Sequence, residues 1–145
     1  MKPPIKKLSL YLDTSVWNFL LVKDAPEKRA QTQALFSEIK EIKYRIFISD
    51  LVAAEVNDAP KVRRLALERL IQEHQPVQLV WTDEIGALAE AYLKAGAGPR
   101  QAEADMIHVA YAVVHHLDVI VSWNLRHIVR LKTRLAVNGV NKGLG

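Results

Sequence analysis

Three carboxylates and one amide occupy positions from which a folded chain could gather oxygen ligands. Asp13 directly follows a short alternating run, and Glu55 lies about one turn into a helical segment. Asp105 stands at the start of an apolar helical segment, and Asn124 follows a run rich in valine and isoleucine. Oxygen ligands without histidine or cysteine favour Mg²⁺ or Mn²⁺ over zinc. A small acidic pocket that holds such a cation is typical of phosphoryl chemistry.

Each carboxylate also has a purely structural interpretation. Asp13 could cap a helix that begins at Thr14, Glu55 could face solvent, and Asp105 could cap a helix that begins at Met106. If the three carboxylates do gather at one place, they repel each other. Their pKa values then rise unless a cation or an arginine compensates the charge.

The elements that must position these residues alternate along the chain. Apolar and β-branched runs predict strands over residues 8–12, 44–48, 76–81 and 118–122. Helical periodicity and capping residues predict helices from residue 14, over 27–43, around 51–56, over 61–73, after Thr82, over 101–116 and over 125–137. This order predicts a three-layer α/β/α fold with a central parallel sheet, whose fourth strand is of the fully buried kind. Ligands bind at the carboxyl ends of the strands in such sheets, which is where the topology directs the candidate residues.

Composition limits the possible functions. The chain has 145 residues, no cysteine and a formal charge of +4, which excludes disulfide scaffolds, thiol nucleophiles and cysteine-ligated zinc. It has no apolar run near the roughly 20 residues of a membrane span, so we expect a cytoplasmic protein with no membrane association. After Asp118 no acid occurs, and the remaining charged residues are all basic: Arg126, Arg130, Lys132, Arg134 and Lys142. This tail is either a solvated surface or a region that attracts phosphate.

Four short motifs, in order and at the expected spacing, resemble those of PIN domains, the metal-dependent ribonuclease fold of VapC-like toxins. The first is Leu-Asp-Thr-Ser-Val-Trp-Asn from Leu12, and the second combines Ser49 with Glu55 and Val56. The third is Asp-Met-Ile-His, which ends at His108, and the fourth is Ser-Trp-Asn-Leu-Arg-His, which ends at His127. The likeness spans about residues 8–138. It implies one PIN-like domain over residues 1–145, without the short C-terminal strand usual in the family; the chain is either truncated or completed differently at that edge.

The resemblance assigns roles to individual residues. It implies that Asp13, Glu55 and Asp105 hold Mg²⁺ or Mn²⁺ and that Asn124, where many PIN domains have aspartate, orients a water or a ligand. Arg126 and His127 are then placed to contact phosphates beside the scissile one. Apart from the resemblance, the residues themselves predict that His108 is a packed structural histidine that can still contact a ligand of the metal. They also predict that Trp17, Trp81 and Trp123 pack in the core or at a pocket rim rather than form a base-stacking platform.

The resemblance further implies an RNA substrate, a small antitoxin that covers the acidic groove, and a homodimer. The function predicted is therefore a metal-dependent endoribonuclease, the toxin of a type II toxin–antitoxin pair. Two alternatives stay open: a non-catalytic PIN-like module that binds RNA or protein, and a plain α/β interaction domain whose carboxylates are caps.

Overall fold

The computed structural model describes residues 7–41, 44–96, 102–124 and 141. Its strands are β1 (Leu8–Leu12), β2 (Tyr44–Ser49), β3 (Val77–Leu79) and β4 (Val119–Val121). Its helices are α1 (Thr14–Asn18), α2 (Pro26–Lys40), α3 (Asp50–Asn57), α4 (Lys61–His74), α5 (Asp83–Lys94) and α6 (Glu103–Val114). The elements predicted up to residue 122 are thus confirmed with small shifts of their ends. The predicted helix over 125–137, with Arg126 and His127, lies outside the described residues.

The four strands form one parallel sheet in the order β3-β2-β1-β4. Together with the six helices of the described residues, this is the three-layer α/β/α arrangement that the sequence predicts. The two central strands carry most of the sheet's buried residues. Strand β4 is less buried than predicted, with Val119 at 41% exposure, because it pairs with β1 on one side and forms an edge among the described strands.

Side-chain caps fix where three helices begin. The Asp13 carboxylate, the Ser49 hydroxyl and the Thr82 hydroxyl each accept a backbone N–H from the first turn of α1, α3 and α5. Ser49, rather than Asp50, is the cap of α3. Helix α6 begins at Glu103 after Ala102, which provides no side-chain cap. Asp105 therefore lies inside the first turn of α6 and is not its cap.

The direction of three helices brings their N-terminal ends to the carboxyl ends of the strands. Helices α1 and α3 leave the carboxyl ends of β1 and β2 directly. Helix α6 precedes β4, which runs parallel to β1, so the first turn of α6 lies at the same edge if the helix runs back along the sheet, as crossover helices do. Within the described residues, no helix has both the length and the apolar character that crossing a bilayer requires.

Candidate active site

The carboxylate of Asp13 is almost fully buried at the carboxyl end of β1. The residue is 2% exposed. Its Oδ1 accepts the backbone N–H of Ser15 at 2.9 Å and the Ser15 hydroxyl at 2.5 Å, and its Oδ2 accepts the hydroxyl of Ser122. Asp13 is thus the cap of α1 and, at the same time, the centre of a group of hydroxyls.

Ser122 connects Asp13 to the segment that follows β4. Its Oγ accepts the backbone N–H of Asn124 at 3.0 Å. The backbone N–H of Trp123 donates to the Oγ of Ser15 at 2.9 Å. These bonds tie the end of β4 to the beginning of α1, and they place the exposed Asn124 two residues beyond Ser122, a direct partner of Asp13.

Glu55 lies across the same edge and is held through a single oxygen. Its Oε1 accepts the Thr14 hydroxyl at 2.9 Å and the Nε2–H of His108 at 2.8 Å. Thr14 directly follows Asp13 in the chain, so its hydroxyl connects Glu55 to the residue next to Asp13. The Glu55 side chain is 38% exposed, whereas that of His108 is 4% exposed.

A buried chain of hydrogen bonds supports His108 from behind. The Nδ1 of His108 lies 2.6 Å from the hydroxyl of Tyr11, which lies 2.7 Å from the Oγ of Ser49. The Ser49 Oγ also accepts the N–H of Val52. With a neutral imidazole, Tyr11 donates to Nδ1; with an imidazolium, the donors along the chain reverse. In both states Nε2–H can donate to Glu55, so the imidazole keeps one orientation.

The electrostatics of Glu55 differ from the simple expectation for gathered carboxylates. Burial acts to raise its pKa, but the hydrogen bond and charge of His108 and the hydrogen bond from Thr14 together outweigh burial and lower the pKa. Burial, reinforced by the nearby Asp13 charge, raises the pKa of Tyr11 well above its usual range. The compensation that the sequence assigns to a cation or an arginine is provided for Glu55 by a histidine and a hydroxyl.

Asp105 is positioned by α6. It precedes His108 by three residues, and side chains at this spacing share a helix face. Because His108 points to Glu55, Asp105 lies on the face of α6 that meets the site. In the part of the chain that the structure describes, however, no three carboxylate or imidazole side chains form a group that could hold a metal ion. The three predicted ligands thus share an edge of the sheet without closing around one point.

The chemistry of the predicted ligands still suits a hard divalent cation. The predicted ligands are all carboxylates. Both described hydrogen bonds to Glu55 go to Oε1, so none of the described bonds occupies Oε2. Oxygen ligands of this kind are those that Mg²⁺ and Mn²⁺ prefer. We therefore take the residues to fit such an ion.

The positioning role of five hydroxyl residues is not predicted from the sequence: Tyr11, Thr14, Ser15, Ser49 and Ser122. Thr14, Ser15 and Ser122 hydrogen-bond to the carboxylates, whereas Tyr11 and Ser49 support His108. Four of the five, all except Tyr11, lie within the four short motifs and flank strand ends, and this position is their local signal. The packed role predicted for His108 is confirmed by its burial, and its contact with Glu55 is observed directly.

Comparison with known proteins identifies the family. The PIN domain family matches residues 10–130, which is most of the chain. No curated protein matches it. The chain therefore belongs to the PIN domain family, whose members are generally nucleases and so act on nucleic acid.

Proposed function

We propose that this PIN domain is a metal-dependent endoribonuclease that cleaves RNA phosphodiester bonds, and that it is the toxin of a type II toxin–antitoxin pair. The observation that carries the proposal is the pair of carboxylates at the edge of the sheet. Asp13 is buried there, and Thr14 links its position to Glu55. A buried carboxylate beside a second one is an arrangement that a cation stabilises.

In this proposal Asp13, Glu55 and Asp105 hold Mg²⁺ or Mn²⁺. When bound, such an ion lowers the pKa of a water and neutralises charge on the phosphate. The chain's own residues orient the ligands. The hydroxyls of Ser15 and Ser122 fix the plane of the Asp13 carboxylate, and His108 fixes Glu55. Partners of this kind commonly change metal affinity or activity by about 10–100-fold when they are removed.

The segment after β4 would receive the RNA. Asn124 stands two residues after Ser122, a direct partner of Asp13, and in this proposal its amide would orient a water or a phosphate oxygen. Arg126 and His127, two and three residues further on, would contact phosphates beside the scissile one. All charged residues after Asp118 are basic, which supports this assignment. Contacts to phosphates position a nucleic acid regardless of its sequence.

The partners proposed follow from the toxin assignment. A small antitoxin would cover the acidic groove, and the toxin would act as a cytoplasmic homodimer built from a single domain over residues 1–145. These proposals depend on the resemblance to VapC-like toxins, and the catalytic proposal does not need them.

Two observations favour the alternative, a non-catalytic module that binds RNA or protein. Both oxygens of Asp13 already accept hydrogen bonds, and Asn124 contributes no charge. Such a module would bind RNA equally well with and without a divalent cation.

The test is the cleavage of a panel of RNAs in Mg²⁺, in Mn²⁺ or in EDTA. The proposal predicts that the wild type cleaves RNA with a divalent metal ion but not in EDTA. It also predicts that Glu55→Gln does not cleave RNA. The matched control is Glu84→Gln, which neutralises an exposed glutamate in the first turn of α5 and should cleave normally. RNA binding without cleavage under every metal condition would contradict the proposal and leave the alternative.

A further inference from the structure

We propose that a cavity between α2 and the end of β4 is a nucleobase subsite for single-stranded RNA, with Trp123 as its stacking surface. The proposal rests on the proposed function for the identity of its ligand. The cavity has a volume of about 240 Å³. It is lined by Val16, Gln31, Thr32, Leu35, Val121, Ser122 and Trp123.

The cavity adjoins the candidate active site. Ser122 lines it, and the hydroxyl of the same residue donates to Asp13. Val16 belongs to α1, the helix that Asp13 caps. A base in the cavity would therefore lie next to the carboxylates, and its own phosphate would reach the site where cleavage is proposed.

The indole of Trp123 is held in a fixed orientation. Its Nε1–H donates to the hydroxyl of Thr32 at 3.0 Å, and that hydroxyl donates to the carbonyl of Lys28 at 2.6 Å. Its backbone N–H is held by Ser15. Thr32 is 2% exposed, whereas Trp123 is only partly buried. A partly exposed aromatic ring that is fixed at both ends loses little entropy when a base stacks on it.

A cation and a second ring complete the surroundings of Trp123. The Phe19 ring centroid lies 5.6 Å from that of Trp123. The Nζ of Lys28 lies 5.2 Å from the Phe19 centroid and 5.5 Å from the Trp123 centroid. A lysine beside aromatic side chains is the combination by which proteins bind single strands, since the rings stack on bases and the ammonium meets the backbone.

The size and lining of the cavity suit a single base. Pockets for drug-sized ligands measure about 300–1,000 Å³, so 240 Å³ fits a smaller planar group. Its walls include the apolar side chains of Val16, Leu35 and Val121. Gln31 adds an amide that can both donate to and accept from the edge of a base. Single-stranded RNA is recognised by this combination of stacking and edge contacts.

The experiment measures binding in EDTA, where the proposed cleavage cannot occur. A single-stranded oligouridylate is compared with an abasic ribose–phosphate oligomer of the same length, for the wild type, Trp123→Ala and Trp123→Phe. We expect Trp123→Ala to weaken oligouridylate binding by about 10-fold and to leave binding of the abasic oligomer unchanged. Trp123→Phe, which keeps an aromatic ring, should bind closer to the wild type.

Two further variants separate the cavity from the general fold. Trp81→Ala is the matched control, because Trp81 is 45% exposed and follows β3 at the opposite edge of the described sheet; it should change neither affinity. Leu35→Phe fills the cavity while it leaves Trp123 in place, and should weaken oligouridylate binding alone. It also decides the matter if Trp123→Ala does not fold, as judged by circular dichroism.

The inference is overturned if Trp123→Ala or Leu35→Phe binds oligouridylate like the wild type, or if binding of the abasic oligomer falls equally. Its failure is distinct from that of the proposed function. RNA cleavage in Mg²⁺ with no base-dependent binding at Trp123 removes the subsite only. Base-dependent binding without cleavage in any metal removes the nuclease proposal and keeps the subsite.

Discussion

Asp13 and Glu55, the two carboxylates near the carboxyl ends of β1 and β2, are held in opposite ways. Asp13 is 2% exposed, and its two oxygens accept hydrogen bonds from Ser15 in α1 and from Ser122 after β4. The Glu55 side chain is 38% exposed, and its described bonds reach only Oε1. Asp13 therefore also stabilises the fold, because its hydrogen bonds connect α1 to the end of β4. Glu55 is partly exposed to solvent and is held in place by Thr14 and His108.

This difference indicates a division of labour within one site. A carboxylate that caps a helix cannot be removed without loss of structure, while a carboxylate that a histidine holds from behind can be altered with little loss of stability. Changes on the Asp13 side should reduce both stability and activity, and changes on the Glu55 side should reduce mainly activity.

The largest effect is expected for Asp13→Asn. The amide replaces one acceptor oxygen with a donor that faces a hydroxyl or an N–H. Hydrogen bonds to charged groups contribute about 1.5–3 kcal/mol each, so we expect the free energy of unfolding to fall by about 2 kcal/mol. RNA cleavage should fall by more than roughly 100-fold, the upper end of the loss that is typical when a residue that hydrogen-bonds to a metal ligand is removed. Urea denaturation and cleavage rates measure the two effects, and an active, equally stable variant would refute the double role.

The next effect is expected for His108→Ala, which removes the donor that orients Glu55. Cleavage should fall by about 10–100-fold, and the Mg²⁺ concentration for half-maximal rate should rise. His108→Gln keeps an N–H donor and should recover part of the loss. A metal requirement that is the same in both variants and the wild type would show that His108 is only a packing residue.

Tyr11→Phe should have a smaller effect, mainly on stability. It removes the hydroxyl between His108 and Ser49 and leaves buried polar atoms without that partner, which costs about 1–3 kcal/mol. Because Nε2 of His108 still reaches Glu55, cleavage should change by less than in His108→Ala. A loss of activity equal to that of His108→Ala, with unchanged stability, would contradict this order of effects.

The smallest effect is the pH dependence of the Glu55 side. The folded state holds the pKa of Glu55 below its ordinary value of 4.5, so the folded protein binds protons at Glu55 less readily than the unfolded chain does. The resulting stability is present above the unfolded pKa and is lost as the pH falls through the folded pKa. The difference in unfolding free energy between the wild type and Glu55→Gln should thus shrink as the pH falls below about 5. Urea denaturation at several pH values checks this, and a difference that grows toward acid would contradict it.

Local patterns suffice to predict much of this molecule. Alternation predicts β1, capping chemistry predicts the starts of α1 and α5, and the alternation of strands and helices predicts the parallel sheet that gathers Asp13 and Glu55. The partners that hold these carboxylates are not predictable in this way. Ser122 is 109 residues from Asp13, and His108 is 53 from Glu55, so no spacing rule connects them.

The prediction that β4 is fully buried is wrong for a related reason. A short apolar run such as Val119–Val121 has the same sequence pattern in a central strand and in an edge strand. Only the strand order, with β1 as its one described neighbour, distinguishes the two.

The central claim is that the carboxylates of Asp13, Glu55 and Asp105 together hold a divalent cation. Calorimetric titration of Mn²⁺ into the wild type, Glu55→Gln and Asp105→Asn tests it most directly, with Glu84→Gln as the control. These variants spare Asp13, so the fold should stay intact. The account predicts saturable binding by the wild type and the control, and at least about 10-fold weaker binding when either ligand is neutralised. Equal Mn²⁺ affinity in all four proteins, or no binding by the wild type, would contradict it.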